Sequence, residues 1–533
     1  MRSMKTSIAI FAALASIAGV AVSAQAQTVL NVAGASAAKP FVEEVPVTLC
    51  NNPTGPAPTL IAGATAPRIF MDGALGPVGN RLANSKFITW VCEATNPNVG
   101  LPSIVVRYQS TGSSDGIDKP NAFPTVNNDG VTPNPAARQV YVLENPGSCG
   151  APTTDVDALG RTRQFFPSCT QFSPNPTSSP ATALVVNMGV SDTAASSFGQ
   201  TSAGWNGGVL QGPIVVGPRA DANITTSRPV VVPFSIVLGS AVKAVNPATS
   251  AVVSPVRNLT RFQVEAIFSR NITRWTQLNG IGADTNGNGV IDGSDNQTIV
   301  LCARRAGSGT KAAFDQTVMK DANEHTGQSP VNSGSFNLTL GTPATPTAGP
   351  TTLSGIANSD VRDCIQGNAT PTIPSNDPFP FPGARPAHPT AAAYMEAEQA
   401  ATVSPATGYV VAVDGGKALR NDTFNGQVPP AQEAIYAGNE KENVRCGKFQ
   451  YWTFEAFNTR NVPPASANEQ ILINGFLTQA ESPTIINSLP NVGRYWVSPQ
   501  EMHVTKTQDK GPVNWKANVA GVPACLTAVN DLP

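Results

Sequence analysis

The sequence predicts an α/β fold assembled from strand–turn–helix units in series. Three observations predict it. Apolar runs of strand length recur along the chain, turns of small residues close them, and helix-forming segments follow. Thr28 to Ala33 is a short apolar strand, and Gly34 to Pro40 turns into a helix, with Pro40 suited to its first turn. Ser103 to Tyr108 is a strand that runs into Gly112-Ser113-Ser114, and Ala183 to Val190 is a strand ending in Ser191-Asp192. Pro229 to Leu238 is a longer extended run. Thr260 to Phe268 is a helix: Thr260 caps it, Gln263 completes a capping box, and Leu259 can staple against Val264. Thr298 to Ala303 is a strand, Arg304 to Thr310 a turn, and Lys311 to Met319 a helix. Such a series argues for largely parallel sheets.

Three segments interrupt this pattern. Asp115 to Thr182 is rich in Pro, Asn and Ser, and Gly341 to Thr352 and Asn368 to Pro389 are rich in Pro and Thr. They are expected to be surface insertions.

The N-terminus carries Arg2 and Lys5, an apolar stretch from Ile8 to Val22, and Ala24-Gln25-Ala26 as a small-x-small cleavage pattern. That is the pattern of a secretory signal peptide, 1–26, and implies a periplasmic or secreted protein. The run is too short and alanine-rich to span a bilayer well, so no stable membrane insertion is expected. The remaining chain of about 500 residues suffices for two domains. The formal charge of −1, with 13% charged residues and no basic stripe, does not favour nucleic acid. Any anion site must therefore be local.

Eight cysteines are dispersed without a C-x-x-C pair, which in an exported chain reads as disulfides. Sequence leaves the connectivity open. Neighbour pairing (50 with 92, 149 with 169, 302 with 364, 446 with 525) is the expectation, because each bond would then close one loop. The three histidines, His325, His388 and His503, are not spaced as a metal centre.

An oxyanion can be held without bulk positive charge, by helix N-terminal amides, hydroxyls and one arginine. Four turns carry that chemistry: Gly34 to Lys39, Gly112 to Ser114, Ser191-Asp192, and Arg304 to Thr310. Each follows an apolar run, so each can lie at the carboxyl end of a strand, where open α/β sheets bind ligands.

Taken in this order, these segments resemble the periplasmic phosphate-binding proteins of phosphate ABC importers. Tyr108-Gln109-x-x-Gly112-Ser113-Ser114 is similar to the family's second anion loop, and Met188 to Asp192 to its strand ending in Ser-Asp. Arg304-x-x-Gly307-Ser308-Gly309-Thr310-x-x-x-Phe314 resembles its most diagnostic loop. Val232-Pro233-Phe234, Leu259-Thr260-Arg261, Ala266 to Ser269, Ile272 to Trp275 and Thr407 to Val410 resemble its crossovers and the start of its second lobe. The resemblance implies a two-lobed, type II-like binding protein with a cleft: lobe one from 27–233 plus 416–533, lobe two from 234–415. It implies phosphate or a related oxyanion as ligand and an ABC permease as partner. Arg304 would pair with ligand charge, while Ser308, Gly309, Thr310 and Ser113 would donate. Asp192 would accept the proton of a protonated oxyanion. Ala38 and Lys39 stand where the family often has a threonine and an aromatic, so a backbone contact remains there but no hydroxyl. Ala306 replaces a frequent acidic residue and Arg305 is extra. These departures would make the site more positive.

No cofactor is required by this reading, but Asp284 to Asp295 matches a calcium loop. Asp284, Asn286, Asn288 and Asp292 supply side-chain oxygens at positions one, three, five and nine, and Val290 stands at the backbone-carbonyl position seven. Gly289 sits at the sharp turn, and Asp295 closes the loop where glutamate is usual. A structural Ca²⁺ rigidifying an insertion is the expectation.

Gly307 to Lys311 lacks the full spacing of a nucleotide phosphate loop, and no G-x-S-x-G elbow or paired phosphatase ligands occur. The expectation is a binding protein and not an enzyme. The alternative is an extracellular interaction protein on the same fold with a degenerate anion site.

Overall fold

The protein is described from a computed structural model. It describes residues 27–516 and Cys525, apart from 53–58, 61–65, 93–100, 122–141, 144–148, 174–185, 321–351, 370–384, 420–440, 462–464 and a few single or paired positions. The expected signal peptide and much of the three insertions lie outside the described residues. Among the described residues, no helix is long and apolar enough to cross a membrane.

A large mixed sheet organises the molecule. Its central strand is Thr28–Gly34, parallel to Ile104–Ser110 on one side and to Met188–Ser191 on the other. Beyond Ile104–Ser110 come Phe87–Cys92, Arg68–Met71, Thr162–Phe166 and Thr153–Val156. Beyond Met188–Ser191 comes Trp452–Arg460, antiparallel, and then the long strand Ile224–Gly239. The expectation of largely parallel sheets is corrected here. Strands that return from far along the chain, such as Trp452–Arg460, insert antiparallel beside the parallel core.

Ile224–Gly239 changes partners part-way. Ile224 to Pro233 pairs with Trp452–Arg460, and Phe234 to Leu238 pairs with Ala391–Glu396. Gly408–Val413 flanks its far end. Proline has no amide to give to a ladder, so Pro233 suits the hand-over, and Pro229 falls at the register shift between Ser227 and Val230. Ala391–Glu396 then runs parallel to Val300–Arg304, which runs parallel to Thr352–Gly355.

Two insertions are partly built into this frame. Asp115–Asn121 is a helix, and Thr153–Val156 and Thr162–Phe166 extend the sheet. Buried Arg161 and Arg163 tie that extension to Glu43 and Glu44 on the first helix, Lys39–Cys50. Thr352 likewise begins a strand rather than ending a loop. The helix Arg261–Phe268 has the expected capping box from Thr260 and Gln263, and both Leu259 and Val264 are buried. All four disulfides join the expected neighbours.

The short helix Asp115–Asn121 lies against the sheet through glycines. A Cβ built on Gly189 would fall 2.9 Å from the Gly116 Cα and closer still to its carbonyl. No rotamer change relieves a clash with backbone. Gly189→Ala is therefore expected to destabilise the protein by about 1–3 kcal/mol or more, read as a lower urea midpoint. Gly217→Ala, where an added Cβ meets nothing within 4 Å, should leave the midpoint unchanged.

Candidate functional site

Val300–Arg304 delivers its last residue to the carboxyl end of the sheet. The Arg304 amide donates to the Tyr394 hydroxyl at 3.1 Å. Tyr394 stacks flat on Phe314, with ring centroids 4.2 Å apart. One ring pair thus fixes the strand end against the helix that follows. Gly307 adopts φ +85°, a left-handed turn that glycine makes without strain. Ser308 then caps the helix, its side chain accepting from the Lys311 amide. The helix begins at Gly309, two residues earlier than expected, because Ser308 supplies the cap. Gly309 and Thr310 therefore occupy the first turn, where amides lack intrahelical acceptors.

Six of the expected residues come together here. A Cβ built on Gly309 would fall 2.7 Å from the Cβ of both Ser113 and Asp192. The Ser114 amide donates to the Gly307 carbonyl at 3.2 Å, which joins two of the small-residue turns directly. The Thr310 hydroxyl lies 3.2 Å from Asp192 Oδ2 and 3.1 Å from Glu396 Oε1, and Arg304 Nη1 donates to it at 2.9 Å. Arg304 Nη1 also reaches Asn358 Oδ1 at 2.6 Å. Asp192 itself is buried. Thr453 Oγ1 donates to its carbonyl, and Asp509 accepts from Ala194 and Ser197 just beyond it.

Ala38 and Lys39 stand at the entry to the helix Lys39–Cys50, just after the central strand. Ala38 is fully buried, and the neighbouring Ala35 amide donates to the Val190 carbonyl. Lys39 has Asp72 and Lys86 as charged neighbours, and burial pulls its ammonium down to about 8 despite Asp72.

The site is also richer in carboxyls than expected. Glu396 and Glu455 are buried beside Asp192, with Glu398 buried next to both of them, which corrects the expectation of a more positive site. Burial, with Glu396 adding, pushes Asp192 up to about 7 against the pull of Arg304. Burial, then Glu396, holds Glu398 well above the ordinary carboxylate range. Burial does the same for Glu455, with Asp192, Glu396 and Glu398 adding. Sequence reasoning missed these three and Asn358. A signal existed for two: Glu396 ends the apolar run Ala391–Glu396, and Glu455 interrupts the apolar strand Trp452–Arg460. A charge inside such a run points inward or marks an edge.

The Asp284 to Asp295 segment forms a tight loop. Asp284 accepts from the Gly287 and Gly289 amides, Asn286 from Asn288, and Asn288 from Val290. Asp295 accepts from Thr285, Asn286 and Asp292, and Asp292 from Ser294. Among the described residues, no group of three His, Cys, Asp or Glu side chains is placed to hold a metal ion. A calcium ion here would need the Asn286 and Asn288 side-chain carbonyls and the Val290 backbone as well. A carboxylate has about four acceptor sites, so the internal hydrogen bonds do not exhaust the loop's oxygens.

Residues 218–441 match the PBP superfamily domain. The match agrees with the resemblance read from the Arg304 to Thr310 loop. The matched residues include Arg304, Thr310, Glu396 and Glu398, whereas Ser113, Asp192 and Glu455 lie outside the match. No curated protein matches the chain. Among solved structures, an ABC-type phosphate transport receptor from Vibrio cholerae is similar at 14% identity, covering 59% of this chain and 81% of that one, with a TM-score of 0.29. A putative phosphate ABC transporter substrate-binding protein from Clostridium perfringens is similar at 15% identity, covering 52% and 72%, with a TM-score of 0.28. PstS from Borrelia burgdorferi is similar at 9% identity, covering 89% and 99%, with a TM-score of 0.32.

The raised carboxyls imply a pH dependence of stability. Asp192, Glu398 and Glu455 hold protons in the folded state that they lose when unfolded, so stability falls as pH rises from their unfolded values through the folded ones. Thermal scans without added ligand are expected to give a lower Tm at pH 8 than at pH 5.

Proposed function

We propose that this protein is an exported solute-binding protein that captures inorganic phosphate, or a similar tetrahedral oxyanion, for uptake by an ABC permease. The carrying observation is the meeting of Ser113, Asp192, Arg304 and Gly309 from distant parts of the chain. With Ser308 and Thr310 beside them, the donors suit a tetrahedral anion: helix-start amides, the Ser113 and Ser308 hydroxyls, the Thr310 hydroxyl and the Arg304 guanidinium. The match of residues 218–441 to the PBP superfamily domain supports a solute-binding rather than a catalytic role. The proposed lobes are 27–233 with 416–533, and 234–415. The partner change of the long strand at Pro233 and Phe234 supports that boundary. The ligand would then lie between the lobes, where the turns at 112–114 and 307–309 meet, and hinge motion would admit it.

We further infer that the Asp284 to Asp295 loop binds one structural calcium, on the evidence of its ligand spacing and its turn at Gly289, which has φ +82°.

Isothermal titration with phosphate tests the main reading. Binding is expected, and Arg304→Ala should weaken it about 10- to 100-fold, the worth of a charged hydrogen bond. No binding at millimolar phosphate would favour an interaction protein with a degenerate site. For the loop, about 10 mM calcium should add about 1–3 kcal/mol of stability if affinity is that of an extracellular module. The gain, read against EDTA, should vanish in Asp284→Ala.

A further inference from the structure

This inference rests on the oxyanion reading above and adds a residue to that site. The strands Val300–Arg304 and Thr352–Gly355 run parallel, with Arg304 paired to Gly355, so their carboxyl ends lie side by side. Each leads into a helix, Gly309–Thr317 after the first and Asn358–Gln366 after the second. Both helices therefore begin at the same end of the sheet, where their first amides lack intrahelical acceptors.

Asn358 opens the second helix and is only 5% exposed. Its Oδ1 accepts from Arg304 Nη1 at 2.6 Å, and the same nitrogen donates to the Thr310 hydroxyl at 2.9 Å. A guanidinium has only donors, so it takes the oxygen of the carboxamide and leaves the Nδ2 amino group to donate elsewhere. Among the described residues, nothing accepts from Nδ2. Asp360, two residues on, is turned to other partners: it accepts from the Ala357 amide at 2.8 Å and from Arg385 at 2.9 Å. A buried amino group costs free energy until an acceptor reaches it.

The Thr310 hydroxyl is less free to serve an anion. Asp192 Oδ2 and Glu396 Oε1 both lie within hydrogen-bond distance of its single proton. Asn358 has two N–H bonds and no such competition. We propose that Asn358 is a ligand-contacting residue: Arg304 fixes its carboxamide so that Nδ2 donates to an oxygen of the bound oxyanion, from a second helix start beside the one at Gly309. The guanidinium and the carboxamide then act as a pair, one supplying charge and the other a neutral donor.

The test is calorimetric titration of the mature full chain and two variants with inorganic phosphate at about pH 8, where an added aspartate is ionised. Asn358→Asp keeps an acceptor for Arg304 but replaces the donor by a negative charge. It should weaken phosphate binding about tenfold or more. An acidic residue suits the first turn of a helix, so the Tm of this variant should be unchanged or higher. Asn358→Ala should weaken binding about 3- to 10-fold, the worth of one neutral hydrogen bond. A residue that only positions Arg304 would give the opposite order, with the Asp variant binding as the wild type does and the Ala variant more weakly. Phosphate affinity of Asn358→Asp equal to the wild type's, or higher than that of Asn358→Ala, overturns the proposal and leaves the oxyanion reading standing. If Asn358→Asp does not fold, as judged by circular dichroism, Asn358→Ala decides, and an affinity within about twofold of wild type overturns the proposal. Absence of phosphate binding by the wild-type chain brings down the oxyanion reading and the proposal with it.

Discussion

The Thr310 hydroxyl sits between Arg304, Asp192 and Glu396. Much of the structure serves to keep these four groups together away from water. A hydroxyl has one proton, so it can donate to only one of two carboxyls at a time. The other must hold a proton, take one from elsewhere, or stay unsatisfied in a medium of low dielectric. That constraint makes the protonation state of the neighbourhood part of the architecture. It also explains why Asp192 sits well above ordinary aspartate although Arg304 is close. Burial outweighs a single guanidinium when other carboxyls share the same space.

Rigid elements hold this arrangement from several directions. Arg304 stands at the end of a strand with a partner on each side, and Tyr394 from the next strand accepts its amide. Cys302 and Cys364 tie that strand to the helix Asn358–Gln366. The same strand and helix carry Arg304 and Asn358, which are hydrogen-bonded. A covalent link between two elements that also share a polar contact lowers the entropy lost in forming it. On the opposite side, Gly116 and Gly189 let the short helix after Ser113 approach the sheet at backbone distance. A side chain at either glycine would push the Ser113 turn away from Gly309.

Local chemistry was legible wherever it rested on neighbours in the chain. The box of Thr260 and Gln263, the turn at Gly307, and strands ending in small polar residues are short-range features, and the structure has them. The site was partly legible for the same reason. Its donors lie in motifs, and a motif is a local arrangement. Glu396, Glu398, Glu455 and Asn358 lie in no motif, and nothing in their immediate sequence says that they face Asp192. The start of the helix at Gly309 was also missed, because the capping strength of Ser308 competes with the poor helix propensity of Gly309, and the cap wins.

By itself, then, the sequence determined the kinds of element, the turns able to face an anion and the pattern of an export signal, while the pairing of the cysteines was left to the structure. These follow from spacing, from small residues and from the period of apolar positions. Tertiary structure alone decided which strands run antiparallel, where the long strand changes partners, and how many carboxyls share the space around Thr310. Those outcomes depend on contacts between residues more than a hundred positions apart, such as Asp192 with Thr310. The energy of burying a charge depends on everything around it, and no local pattern along the chain encodes that.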